Sequence, residues 1–81
     1  MRIAIAAFAG LRELLADGAP ELELPPGASV GDAWQALERR QPALATLAAS
    51  TRLARNGRLA SAADALSDGD ELALLPPVGG G

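Results

Sequence analysis

One stretch of the 81-residue chain carries a long helical pattern, and strand-like runs lie on both sides of it. Ser29 followed three positions later by Asp32 is typical of a helix start, because the two side chains can cap each other's backbone N–H groups. Val30, Trp34 and Leu37 then recur at helical spacing, which predicts the buried face of this helix. Since one helix can cover only one face of a sheet, the strands must expose the other face.

Short apolar or alternating runs predict the strands. They are RIAIAAF (2–8), ELELP (21–25), RLARNGRLA (52–60) and ELALL (71–75). The second run is expected at a sheet edge because prolines follow it. In the third run, Asn56 and Gly57 predict a type I′ hairpin turn, since both tolerate positive φ. The arginines of this run could steer an acidic partner, but a solvated hairpin face is the preferred interpretation: Arg52, Arg55 and Arg58.

Two shorter helical signals complete the pattern. Residues 11–17 are strong helix formers that end at Gly18, which predicts one or two helical turns. Pro42 either ends the long helix or begins a second one over residues 42–49. The order strand, helical turn, strand, helix, strand, strand, strand predicts an α+β fold. We expect the β-grasp, or ubiquitin-like, arrangement: a mixed sheet of about five strands with one main helix packed on one face.

The composition removes most catalytic chemistries. The chain has no cysteine, no histidine and, because all seven basic residues are arginine, no lysine. Thiolate, imidazole and Schiff-base chemistry are therefore excluded, and no metal site is expected. The acidic pairs Asp68/Asp70 and Glu21/Glu23 are interpreted as turn and solvated-strand residues. A net charge of −3 argues against nucleic acid as a partner. No apolar run is long enough to span a membrane, so a cytoplasmic location is expected.

The chain ends in PPVGGG, which divides it into a domain over residues 1–75 and an extended tail over residues 76–81. Pro76 and Pro77 favour an extended chain, and the tail spans up to about 20 Å. Gly79, Gly80 and Gly81 have no Cβ, so this backbone can thread a channel too narrow for other residues. The tail is thus suited to entering the active site of another protein.

The group that the tail would present is the Gly81 carboxylate. At neutral pH a terminal carboxylate is ionised and resists nucleophiles, so it must first be activated, most simply by a nucleotide. The chain has no phosphate-binding motif of its own. We therefore expect no bound cofactor, and we expect a separate partner protein to use ATP to activate Gly81.

Four stretches together resemble the MoaD family, the small sulfur-carrying subunits of molybdopterin synthase. They are FAGLREL (8–14), RNGRL (55–59), SDGDELALLPPV (67–78) and the terminal Gly-Gly. The resemblance implies that an E1-like enzyme adenylates Gly81 and that a sulfurtransferase supplies sulfur for a C-terminal thiocarboxylate. Two successive transfers of this sulfur would convert cyclic pyranopterin monophosphate to the dithiolene of molybdopterin. The catalytic side chains would come from the large synthase subunit, in a heterotetramer.

The resemblance also implies an interface with the large subunit. Family members use an apolar patch beside the tail, and the matching positions are Phe8, Leu59 and Leu75, with Arg12 as a polar contact. Relatives often carry an aromatic residue where this chain has Leu75. For each of the apolar positions, ordinary core or scattered surface packing is the competing interpretation.

Other functions remain open on the sequence alone. The same fold and tail serve carriers for thiamin thiazole, cysteine or tRNA thiolation. A ubiquitin-like modifier would instead join Gly81 to lysines of target proteins, although without lysine the chain could not form side-chain-linked polymers of itself. A passive binding module with an inert tail is the third alternative.

Overall fold

The computed structural model describes residues 1–8, 11, 15 and 21–76. Within them, five strands and two helices follow one another along the chain. The strands are β1 (Arg2–Ala7), β2 (Glu21–Glu23), β3 (Arg52–Arg55), β4 (Arg58–Ala60) and β5 (Glu71–Leu75). The helices are α1 (Val30–Arg40) and a 3-10 helix (Pro42–Leu47), both between β2 and β3.

The strands form one mixed sheet in the order β2-β1-β5-β3-β4. The central pair, β1 and β5, is parallel, and the other neighbouring pairs are antiparallel. A parallel pair needs a crossover between its strands, and the chain from β2 through α1 to β4 supplies it. The predicted β-grasp fold is confirmed, as is the place of β2 at an edge.

Helix α1 begins where the sequence predicts. The Asp32 N–H donates to Ser29 Oγ over 3.1 Å, and the Ser29 N–H donates to Asp32 Oδ2 over 2.9 Å. These two bonds make a capping box and satisfy N–H groups that have no partner inside the helix. The arginines at 39 and 40 lie in the last turn, where positive charge favours the helix dipole.

The buried face of α1 differs from the prediction at one position. Val30 and Leu37 are fully buried as predicted, but the third buried residue is Ala33, and Trp34 is only half-buried. Trp34 follows Ala33 by one residue and lies about 100° further round the helix, at the rim of the contact with the sheet. Its Nε1–H donates to Glu38. The prediction that Trp34 is a core residue is therefore confirmed only in part, because its side chain packs against the core but is not fully buried.

The core lies between α1 and the inner face of the sheet. The fully buried large side chains are Ile3, Val30, Leu37, Leu44, Leu72 and Leu74. Pro42 begins a second helix, but one of 3-10 type, which places Leu44 in this core. The sheet's opposite face, the open face, is not covered by α1 or by the 3-10 helix.

The two remaining local predictions have different outcomes. Asn56 and Gly57 have φ values of 50° and 85° between β3 and β4, which confirms the type I′ hairpin turn. Of the helical turns predicted over 11–17, only Leu11 and Leu15 are described. Both are buried, and the Leu15 N–H donates to the Leu11 carbonyl over 3.2 Å, while 12–14 and 16–17 lie outside the described residues.

Candidate functional site

The strand that leads into the terminal segment lies at the centre of the sheet. β5 pairs with β1 on one side and with β3 on the other, and Leu75 lies opposite Arg52. Pro76 follows directly and is half-buried. A strand held on both sides is a rigid base for whatever follows it. Pro77, Gly79, Gly80 and Gly81, which the sequence assigns to the tail, lie outside the described residues.

A buried carboxylate fixes the other end of β5. Asp70 immediately precedes the strand and is 8% exposed. Its Oδ1 accepts from Asn56 Nδ2 over 2.9 Å, and its Oδ2 accepts from Arg55 Nε over 2.6 Å and from the Ser67 N–H over 2.7 Å. The Asn56 side-chain oxygen in turn accepts from the Glu71 N–H over 2.9 Å. This network ties the β3–β4 turn to the start of β5.

These donors also set the charge of Asp70. The Asn56 amide, the Arg55 guanidinium and the Ser67 N–H all favour the ionised carboxyl, and together they lower its pKa from 3.8 to about 2 although burial opposes them. Asp70 is therefore a charged anchor at neutral pH. This role was not predicted from the sequence. The expectation that Arg55 lies on a solvated hairpin face was wrong, because Arg55 pairs with Asp70.

The open face carries the apolar positions that the sequence assigns to a partner interface. Register places Ala6, Ala73, Ala54 and Leu59 in one row across β1, β5, β3 and β4. These small alanines leave the row flat in its middle, and Leu59 at its end is 64% exposed. An exposed leucine beside a flat apolar row is typical of surfaces that partners cover.

Phe8 and Leu75 come together beside the point where β5 ends. Ala7 and Leu74 are the last pair of the parallel β1–β5 ladder, and the same register continued by one residue places Phe8 beside Leu75. Phe8 is 50% exposed and Leu75 is half-buried. Leu59 lies about 15 Å from Phe8, three strand spacings across the sheet. The structure thus places all three on one surface, whereas Arg12 lies outside the described residues.

The acidic pairs form ordinary structural contacts. Asp68 Oδ1 accepts from the Arg2 N–H over 2.6 Å in the turn before β5, and Glu21 lies 3.7 Å from the Arg2 guanidinium. Among the described residues, no group of three or more metal-ligating side chains occurs. No helix in this part of the chain is long and apolar enough to cross a bilayer.

Comparisons with known proteins agree with this geometry. The profile of the ThiS family matches residues 5–81. Small archaeal modifier protein 1 from Haloferax volcanii is 38% identical, over 91% of this chain and 94% of the relative. The crystal structure of that organism's SAMP1 superposes with a TM-score of 0.88 at 34% identity, and all of both chains is covered.

A second solved structure carries a different description. The putative molybdopterin converting factor, subunit 1, from Pyrococcus furiosus has a TM-score of 0.87 at 30% identity, and the match covers 96% of this chain and 99% of that one. The chain therefore belongs to the ThiS family and is a ubiquitin-like protein of the ThiS/MoaD sulfur-carrier and small-modifier type.

Proposed function

We propose that this protein is a sulfur carrier that acts as the small subunit of molybdopterin synthase. The observation that supports this most is the placement of β5: its last residue, Leu75, lies beside exposed Phe8, and the glycine tail follows a few residues after the strand. A partner that covers the apolar open face would therefore receive the tail next to its own docking surface. The subunit-1 description of the Pyrococcus furiosus relative supports the same assignment.

The proposed reaction uses only the Gly81 carboxylate of this chain. A carboxylate oxygen attacks the α-phosphorus of ATP, held by an E1-like enzyme, and pyrophosphate leaves. A persulfide of the sulfurtransferase then displaces AMP and forms an acyl disulfide, and a thiol reductant cleaves this disulfide to leave the thiocarboxylate. In the synthase, two thiocarboxylates in succession each deliver one sulfur to the pterin, so that cyclic pyranopterin monophosphate becomes the dithiolene, and water restores each carboxylate. The large subunit supplies the acid-base groups, because this chain has no histidine, cysteine or lysine.

The proposed docking surface is the open face around Phe8, Leu59 and Leu75, with Arg12 as a polar contact. Standard-sized interfaces bury about 800 Å² per partner, so three residues spread over about 15 Å fit within one interface. The proposed assembly is a heterotetramer, with one small subunit at each end of a large-subunit dimer.

Intact-mass measurement tests the carrier chemistry directly. The purified protein is incubated with an E1-like adenylating enzyme, ATP and a sulfur donor, and its mass should rise by about 16 Da as sulfur replaces oxygen. A variant with one alanine appended after Gly81 should fold equally well and gain no mass. An unchanged mass in the natural protein, or an equal gain in the extended variant, would contradict the proposal.

A second assay tests the pathway. The thiocarboxylated protein is mixed with the synthase large subunit and cyclic pyranopterin monophosphate, and molybdopterin should form in proportion to the protein added. A thiocarboxylate that yields no molybdopterin here, but supports thiazole, cysteine or tRNA thiolation, would assign the carrier to one of those pathways instead.

A modifier function is the second candidate, because the 38% identical relative is named a small archaeal modifier protein. In that case Gly81 would form isopeptide bonds with lysines of target proteins. The adenylating enzyme, ATP and a lysine-containing acceptor are incubated without a sulfur donor, and peptides with glycine remnants on lysine are sought by mass spectrometry. Such adducts would support the modifier function, whereas their absence together with the mass gain of about 16 Da would favour the carrier.

A further inference from the structure

A pocket of about 420 Å³ lies between the start of α1 and the β3–β4 end of the sheet. This volume falls within the range of about 300–1,000 Å³ that is typical of ligand sites. Its apolar lining is formed chiefly by Gly31, Trp34, Leu53, Leu59, Ala60 and Ala62. The pocket exists because small residues leave the space beside the Trp34 indole unfilled.

The wall beside the helix is held by backbone contacts. The Gly31 N–H donates to the Ala62 carbonyl over 2.9 Å, and a Cβ at Gly31 would come within 3.2 Å of the Ala62 side chain. Such a contact is at the lower limit of close packing. The start of α1 is therefore packed closely against the segment that carries Ala62, and this contact fixes one wall of the pocket.

Two polar side chains at the pocket, those of Trp34 and Thr51, already have hydrogen-bond partners. The Trp34 indole N–H donates to Glu38, and the Thr51 hydroxyl donates to the Leu47 carbonyl over 2.8 Å. Because these groups are already bonded, the surface that the pocket presents to an occupant is mainly apolar. Its preferred occupant is accordingly an apolar group.

Two arginines border the strand side of this apolar surface, while the Glu38 carboxylate lies at Trp34 on the helix side. Arg52 lines the pocket, and Arg58 precedes the lining residue Leu59; both arginines are exposed. In the described part of the chain neither has an ion-pair partner, in contrast to Arg55, which binds Asp70. Residues 51–60 contain no acidic residue, although the whole chain has a net charge of −3. The charge of this edge thus complements a carboxylate from outside.

We propose that this pocket binds an apolar side chain from an acidic segment of a partner protein, with a carboxylate of that segment paired to Arg52. A protein is the expected occupant because Leu59 belongs to both the pocket lining and the open face, so the two apolar surfaces are continuous. A partner that covers the open face can extend an acidic segment over β4 into the pocket. This site is distinct from the tail chemistry and does not involve Gly81.

A peptide titration tests the proposal without an identified partner. The probes are the blocked tetrapeptides acetyl-Asp-Leu-Phe-Asp-amide and acetyl-Lys-Leu-Phe-Lys-amide, added to the 15N-labelled full chain. The acidic peptide should shift the Trp34 indole resonance and the amide resonances of Gly31 and Ala60. The basic peptide should bind about threefold to tenfold more weakly, because like charges meet at Arg52. Raising the salt concentration to about 1 M should remove most of this preference.

Two matched charge reversals assign the preference to the pocket. Arg52→Glu should remove or invert the preference for the acidic peptide. Arg39→Glu makes the same charge change on the exposed last turn of α1, outside the pocket lining, and should leave the preference intact. Thermal unfolding of both variants checks that each is folded.

Three results would overturn the proposal. They are equal affinity for the two peptides, shifts confined to the open face around Phe8, and equal effects of the two charge reversals. None of these results bears on the thiocarboxylate, because the mass assay on Gly81 is independent of the pocket.

Discussion

At the scale of single residues, Asp70 stabilises the fold through groups distant from it in sequence. It lies 14 and 15 residues from Asn56 and Arg55, and it binds both side chains while it is nearly buried. Hydrogen bonds to a charged group contribute more than neutral ones, and an unpaired buried charge is costly. The three donors around this carboxylate therefore hold the hairpin turn and the start of β5 in one arrangement.

The lowered pKa of Asp70 predicts acid sensitivity. Because the folded pKa of about 2 lies below the ordinary value of 3.8, folding favours the ionised carboxyl above about pH 4, and this contribution is lost as the pH falls from about 4 to 2. Asp70→Asn should therefore lower the free energy of unfolding by about 1 to 2 kcal/mol at pH 7, allowing for the partly exposed Arg55. The difference from the natural protein should shrink towards pH 2.

Urea unfolding from pH 2 to 7 measures this effect. Glu71→Gln is the control, since it removes one negative charge at the neighbouring, exposed position. A pH-independent gap between the natural protein and Asp70→Asn would show that ionised Asp70 does not stabilise the fold.

At the scale of elements, α1 shows that apolar residues at helical spacing are not all buried to the same extent. Leu37 and Ala33 face the sheet, whereas Trp34 stands at the rim and forms one wall of the pocket. The largest apolar residue of the helix is thus not its main anchor. The Trp34 indole combines an apolar surface with an N–H group that donates to Glu38, as expected of a tryptophan that is partly exposed to solvent.

This difference in burial predicts that Leu37→Ala and Trp34→Ala lower the free energy of unfolding by different amounts. Leu37→Ala removes a fully buried side chain and should lower the free energy of unfolding by about 3 to 4 kcal/mol. Trp34→Ala should cost only about 1 to 2 kcal/mol, rather than the roughly 3 to 5 kcal/mol typical of a buried tryptophan. Urea unfolding monitored by circular dichroism compares them, with exposed Gln35→Ala as the control. An equal or larger loss for Trp34→Ala would place the indole in the core.

At the scale of the whole molecule, the sheet has one face for stability and one available for partners. α1 and the 3-10 helix cover the inner face with Leu37 and Leu44, and Phe8 and Leu59 are exposed outside that core. The parallel β1–β5 pair brings Phe8 beside the strand that leads into the tail. The proposed docking residue Phe8 and the end of β5 therefore lie side by side.

This separation predicts that Phe8→Ser affects binding more than folding. The substitution removes an aromatic side chain that is already 50% exposed, so the free energy of unfolding should fall by only about 1 kcal/mol. Affinity for the synthase large subunit should fall by about tenfold or more, as for an aromatic residue central to an interface. Isothermal titration calorimetry measures the affinity, with Gln35→Ser on the helical side as the control. Equal affinities for the two variants would remove Phe8 from the interface.

The sequence by itself determined the elements, because their signals are local. The capping box of Ser29 and Asp32, the Asn56–Gly57 turn and the alternating strands depend on neighbours a few residues apart. From them the β-grasp fold could be predicted. The glycines at positions 79–81 favoured the carrier prediction in the same way, because the absence of a Cβ is a property of the residues themselves.

Only the tertiary structure decided how distant residues meet. The strand order places Phe8 next to Leu75, pairs Asp70 with Arg55 and leaves Arg52 beside an apolar pocket. None of these contacts has a sequence spacing that encodes it, because each depends on sheet register between strands far apart in the chain. The same reason explains why Trp34 is only partly buried. Helical periodicity groups Trp34 with Val30 and Leu37, but the width of the contact between helix and sheet determines which side chains are covered.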